Sequence, residues 1–330
     1  MSKKFTVVIT DFIADALTIE KSILGDAAEV IALNAGSEEE LAGKIEHADA
    51  IIMYHSLTIR ETSIKRLNQC KLIIRAGVGI DNIDYNYART RGIPVANIPD
   101  YGSEDVADSA IGMILALTRG ISFLNSRLRD GAGDWSYAQV QPLHRLRHLN
   151  LGIVGLGRIG TATALRAKAF GLNVLFYDPY KPDGFDKALG VHRVETLLEL
   201  LNQVEVLSLH CPLTVETHHL INKETIESLP RGSYLVNTSR GGVVDTSVIP
   251  DAILSGRLAG AAFDVLDQEP PVNNPLVEAW RNPTHPAHHK VLINPHTAFY
   301  SEEGLMEIRV KAAKACLNAL QGLAVRNVVN

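Results

Sequence analysis

The sequence predicts an α/β protein built on doubly wound parallel sheets, and three observations carry that prediction. Short apolar runs alternate with amphipathic stretches through most of the chain, the pattern of parallel strands covered by helices on both faces. Residues 151–171, LGIVGLGRIGTATALRAKAFG, join an apolar run, a glycine-rich turn and a segment of good helix formers. Finally, 330 residues exceed what one core usually supports, so two domains are expected.

In the first hundred residues strands are expected at 5–10, 30–33, 50–54, 72–75 and 94–96. Helices are expected at 17–24, 37–47 and 60–68, the second opened by Ser37 and three glutamates as cap and acidic first turn. Gly77 and Gly79 flank Val78 in the turn 75–82. That turn either frees backbone N–H groups for a small anion or simply ends a strand. Ser103, Glu104 and Asp105 start a helix with apolar residues at Val106, Ala110, Ile114, Leu117 and Ile121. It should run some twenty residues and end before Gly131, a length suited to connecting two domains. Trp135 and Tyr137, in the polar loop beyond, suit packing or dimer contacts as well as anything functional.

Six further strands are expected at 151–154, 174–177, 206–209, 234–236, 261–265 and 291–293, the number a dinucleotide-binding fold uses. Helices at 195–201, 223–229 and 246–254 lie between some of them, and a last helix runs from 301 to about 320.

Composition excludes several classes. The net charge is −5 with no Lys/Arg block, which argues against direct nucleic-acid or membrane-surface binding. Cys70, Cys211 and Cys316 make neither a disulfide framework nor a metal-spaced set, and the first residues lead into a strand with no signal-peptide core. The most apolar helix segment, 109–117, is too short to span a bilayer. A cytoplasmic protein fits. His285, His288 and His289 lie in a Pro-rich loop without an acid or thiol nearby in sequence, and His218-His219 are equally isolated, so no metal is expected.

The chemistry gathers after the late strands. Gly155, Gly157 and Gly160 have the spacing G-x-G-x-x-G, for the tight turn, the close approach of a pyrophosphate and close helix packing respectively. Asp178, 18 residues past Gly160, ends the next strand, where a carboxylate accepts hydrogen bonds from a ribose diol. It favours NAD over NADP, with Lys181 working against that preference. Arg240, Glu269 and His296 each follow a separate strand, so all three should reach one sheet edge. Reduction of a 2-keto acid needs a guanidinium for the carboxylate, a histidine to protonate the carbonyl oxygen, and a carboxylate to hold that histidine. Taken singly, Arg240 also suits a cofactor phosphate, Glu269 a solvated loop and His296 a structural hydrogen bond.

GLGRIG with Asp178, NTSRGG with Arg240, FDVLDQEP with Glu269 and NPHTA with His296 resemble the D-isomer-specific 2-hydroxyacid dehydrogenases. Within them the chain looks most like the C-terminal-binding protein branch, through MYHS at 53–56, LRAKAFGLNVLFYDPY at 165–180 and HTAFYSEE at 296–303. The resemblance implies two Rossmann/flavodoxin-like domains with an interdomain cleft. Residues 1–100 plus 298–330 would bind substrate and 101–297 would bind NAD, with a homodimer formed through the cofactor domains and the helix after Ser103. It implies that NAD lies against Val154, Gly155, Leu156, Gly157, Arg158, Ile159, Gly160 and Asp178, and against Cys211, Pro212, Thr217, Thr238, Ser239, Asp264 and Ala298. His55, Val78, Gly79, Arg240 and Phe299 would meet a small 2-keto or 2-hydroxy acid, and Arg240, Glu269 and His296 would be catalytic.

The chain departs from the branch at three places. Its corepressors carry a tryptophan at Phe299, a family threonine is here Val106, and their paired arginines reduce to Arg119 followed by Gly120. Glu269 argues against formate dehydrogenases, which have glutamine there. An NAD-dependent dehydrogenase is therefore expected, with an NAD(H)-sensing dimeric scaffold as the alternative.

Overall fold

The computed structural model describes residues 4–330, and the first three residues of the segment expected to lack a signal-peptide core lie outside the described residues. The chain forms two compact units, Met1–Gly102 with Ser301–Asn330, and Ser103–Tyr300.

The first unit holds a five-stranded parallel sheet of β1 (Phe5–Ile9), β2 (Ala28–Ala32), β3 (Ala50–Met53), β4 (Leu72–Arg75) and β5 (Val95–Asn97), ordered β2-β1-β3-β4-β5. This is the order of flavodoxin-like doubly wound sheets. β3 and β4 are buried at every residue because both faces are covered. Val7, Ile9, Ile52 and Ile74 pack one face with Ile308, Ala312, Cys316 and Leu320, four residues apart on the helix Glu302–Leu320. Val8, Ile51 and Ile73 fill the other face. Buried Arg309 fastens this last helix by hydrogen bonds to Glu20 (2.6 Å) and Asp15 (2.6 Å), and Ser301 caps it by accepting the Gly304 N–H.

The second unit holds seven parallel strands: β6 (Asn150–Val154), β7 (Asn173–Tyr177), β8 (His192–Arg193), β9 (Val206–Leu209), β10 (Ser233–Asn237), β11 (Leu258–Phe263) and β12 (Val291–Ile293). Their order is β12-β11-β10-β9-β6-β7-β8. The chain reverses direction across the sheet between β6 and β9, and ligands of such sheets bind beyond the strand C-termini at that switch point. The expected strands are present, and β8, two residues without an apolar run, is additional.

Three expected helices differ, and over 60–68 only Glu61–Ile64 is helical. Over 37–47 only the turn Glu39–Leu41 is helical, because Ala42 is extended and Gly43 takes φ +79°. Glu38 there accepts the N–H groups of Arg60 and Ser63. The long connecting helix is two helices, Ser103–Thr118 and Ile121–Arg129, bent by 64°. Gly120 makes the break at φ +63°, and a Cβ there would press on Val140. Among the described residues no single helix is long and apolar enough to cross a membrane. The bent pair passes that test only jointly, and its first member buries Ala110, Ile114 and Leu117.

Candidate active site

Gly155 ends β6 at φ +88°, where a Cβ would press on the Cys211 backbone. A Cβ on Gly160 would overlap the Gly155 carbonyl, so the helix Arg158–Ala169 starts directly against the turn. Gly157, its N-cap, has open space where a Cβ would stand. Val154 and Leu156 are buried beneath this turn, Ile159 is half-buried and Arg158 exposed. The turn therefore offers a helix N-terminus and room for a phosphate beside it. Asp178, just past β7, accepts the Leu156 N–H at 2.8 Å and the Tyr180 N–H at 3.0 Å, which fixes its carboxylate beside the glycine turn.

Across the switch point, Cys211 follows β9, and burial pushes its thiol up to about 11. Thr217 closes its loop by donating to the Pro212 carbonyl at 2.6 Å. The Thr238 hydroxyl and His210 Nδ1 are buried without a hydrogen-bond partner. Open space over Gly157, two orphaned polar atoms across the switch point and a fixed carboxylate at the end of β7 fit a dinucleotide.

After β10, Asn237 accepts the Ser239 N–H (3.0 Å) and donates to the Arg240 carbonyl (2.9 Å), while Arg240 Nη1 donates to the Ser239 carbonyl (2.8 Å). A Cβ on Gly241 would overlap the Leu266–Asp267 backbone. Glycine here lets the arginine loop lie directly on the loop carrying Glu269. Glu269 Oε1 accepts the Leu266 N–H at 2.8 Å, and its Oε2 lies 2.7 Å from His296 Nδ1. His296 adopts φ +53°, a left-handed conformation uncommon outside glycine.

That conformation is held by Asp264. Its carbonyl accepts the His296 N–H at 2.7 Å, and its carboxylate accepts the N–H groups of Thr297 (2.9 Å) and Ala298 (3.0 Å). Asp264 is 2% exposed, and burial raises its pKa against the lowering effect of those two N–H groups. The Phe299 ring meets the His296 ring edge-on at 6.1 Å.

In the first unit, His55, Val78 and Gly79 follow β3 and β4. Asp11, fully buried, accepts the N–H groups of Tyr54 and Ser56, both at 2.8 Å, and so fixes the turn that carries His55. Asn97 donates to the Val78 carbonyl at 2.7 Å. The anchors Asp11, Asn237 and His210 are not among the candidates that the motifs single out. Each stands at or just past the end of an apolar run, which was the available signal.

The family described as D-isomer specific 2-hydroxyacid dehydrogenase, NAD binding domain, matches residues 111–298. D-3-phosphoglycerate dehydrogenase of Methanocaldococcus jannaschii is 35% identical over 93% of this chain and 56% of its own length. C-terminal-binding protein 1 of Caenorhabditis elegans is 37% identical over 92% of this chain and 42% of its own. The chain thus spans about half the length of these curated relatives. D-lactate dehydrogenase from Aquifex aeolicus, solved with NAD and lactic acid, superposes with a TM-score of 0.85 at 30% identity, over 96% of both chains. NAD is the cofactor that the matched domain binds. With a glycine turn, an anchored carboxylate and a histidine–glutamate pair on a doubly wound sheet, the chain belongs to the D-isomer-specific 2-hydroxyacid dehydrogenase family.

Proposed function

We propose that the chain is an NAD(H)-dependent oxidoreductase that interconverts a small 2-keto acid and its D-2-hydroxy acid, with His296 as proton donor and acceptor. The observation that carries this reading is the 2.7 Å pair of His296 and Glu269 at the C-terminal edge of a dinucleotide-type sheet. Bound NAD would supply the hydride acceptor for oxidation of the hydroxy acid, and NADH the donor for reduction of the keto acid. Glu269 accepts the Nδ1 hydrogen of His296 and so leaves Nε2 for the substrate. In reduction Nε2–H gives its proton to the carbonyl oxygen; in oxidation the neutral nitrogen takes the hydroxyl proton. Arg240 pairs with the substrate carboxylate and draws charge from the carbonyl. The Aquifex relative, solved with lactic acid, supports a 2-hydroxy acid as the class.

The scaffold reading is weaker, because a pure binding protein has no use for a proton donor held by a carboxylate. The same proposal takes the chain as a cytoplasmic homodimer, with Trp135 (91% exposed) and Tyr137 (78% exposed) among its contacts. Sedimentation of Trp135→Ala tests that part separately. For the chemistry, NADH absorbance should fall on addition of glyoxylate, hydroxypyruvate or a longer 2-keto acid. His296→Ala should lower kcat by about 10²- to 10⁴-fold, and unchanged turnover in that variant would reject the proton donor.

A further inference from the structure

A second polar cluster, none of whose members belongs to the site above, joins the end of the Ile121–Arg129 helix to the short helix Ala287–Lys290. Asp130 Oδ2 lies 3.1 Å from His288 Nε2 and 3.9 Å from His289 Nδ1. One ligand atom from each of the three lies within 4.8 Å of the others. The protonation of His288 is the informative detail. Its Nδ1 lies 2.7 Å from the Trp280 carbonyl oxygen, which only accepts, so Nδ1 carries a hydrogen. A neutral ring then turns the lone pair of Nε2 towards a carboxylate oxygen. Two acceptors at 3.1 Å need something shared between them: a proton or a metal cation.

His289 Nδ1, the atom turned towards Asp130, lies 2.9 Å from the Ser126 hydroxyl, so a cation bound there takes the place of that hydrogen bond. Phe123 meets the His289 ring edge-on at 6.2 Å and restricts its rotation. The cluster opens onto a cavity of about 370 Å³ lined by Ser126, Arg129, Asp130, Trp280, Arg281 and His288, which leaves room for an exogenous ligand.

We propose that Asp130, His288 and His289 form a three-ligand site for a divalent transition-metal cation of the zinc type, open to one exchangeable ligand. Two imidazoles and a carboxylate are a set that zinc uses when a coordination position stays open, whereas calcium and magnesium call for oxygen donors throughout. The Trp280 carbonyl takes the outer-shell place that orients a ligating histidine. Arg129 and Arg281 oppose the charge of the bare cation but complement an anionic oxygen as its fourth ligand. The three histidines at 285–289 looked isolated in the sequence because Asp130 is separated from His288 by 158 residues.

Chelator-treated full-length protein titrated with Zn²⁺ by calorimetry, and with Co²⁺ as an absorbance probe, tests the proposal. One Co²⁺ per chain should bind with the intense visible band of low coordination. Asp130→Asn and His288→Gln should each weaken both metals at least about tenfold, with the metal-free melting temperature unchanged. Double replacement of His218 and His219 by Gln should leave binding intact. Absent binding, or equal binding in wild type, Asp130→Asn and His288→Gln, overturns the site and leaves an Asp130–imidazolium ion pair in its place.

Discussion

His296 Nδ1 and Glu269 Oε2 lie 2.7 Å apart, and the other Glu269 oxygen accepts the Leu266 N–H at 2.8 Å. One carboxylate thus ties the loop after β11 to the histidine after β12, so ring orientation and loop position are set together. Glu269→Gln keeps the shape but removes the charge, and it can turn an NH₂ group towards Nδ1. The proposed mechanism then expects kcat for keto-acid reduction to fall about 10- to 100-fold with little change in KM. Steady-state kinetics check this; a change confined to KM would make Glu269 a binding residue.

Asp264 holds the same histidine from behind. Removing its carboxylate in Asp264→Ala leaves the Thr297 and Ala298 N–H groups without their acceptor, one of them at a residue only 3% exposed. An unpaired buried donor costs about 1–3 kcal/mol, which in a unit of this size lowers Tm by at least about 2–4 °C. The His296 backbone, at φ +53°, should then relax, and turnover should fall along with Tm. Loss of Tm with full turnover would separate the histidine geometry from Asp264.

His210 sets an acid limit on stability. Burial pushes its pKa from 6.5 down to about 4, and its Nδ1 has no hydrogen-bond partner. The unfolded chain therefore binds a proton that the folded chain refuses. The stabilising contribution is fully present above pH 6.5 and is lost as pH falls from there through about 4. His210 as a residue is half-buried, so the effect is discounted to on the order of 2 kcal/mol. Denaturant unfolding of cofactor-free protein across that range should show the decline, and His210→Gln should flatten it.

The sheets were legible because strands such as β3, β4 and β9 are buried on both faces and so are apolar throughout. β8 was not, since His192 and Arg193 pair with β7 through backbone alone. The acidic start at Ser37 resembled a helix, but local propensity yields where Gly43 turns the chain at φ +79°. That Glu269 and His296 would meet was legible because each lies in the loop after one of two neighbouring strands. The roles of Asp264 and Asp11 were not. They depend on N–H groups 33 to 45 residues away, and no local pattern marks such a partner.

Cofactor choice should turn on Asp178. Its Oδ2 accepts the Leu156 N–H and its Oδ1 the Tyr180 N–H, so the carboxylate is held at the end of β7 rather than swinging in solvent. A ribose diol donates to such a group, whereas a 2′-phosphate meets like charge at short range. Lys181 is next but two in the chain, with its ammonium 5.1 Å from the centre of the Phe185 ring, and it offers a cation once the acid is gone. Asp178→Ser should therefore weaken NADH about 10- to 100-fold, the worth of a charged hydrogen-bonding partner, and improve NADPH relative to it. Ratios of kcat/KM for the two cofactors measure this. An unchanged ratio would place discrimination elsewhere on the cofactor's adenosine half.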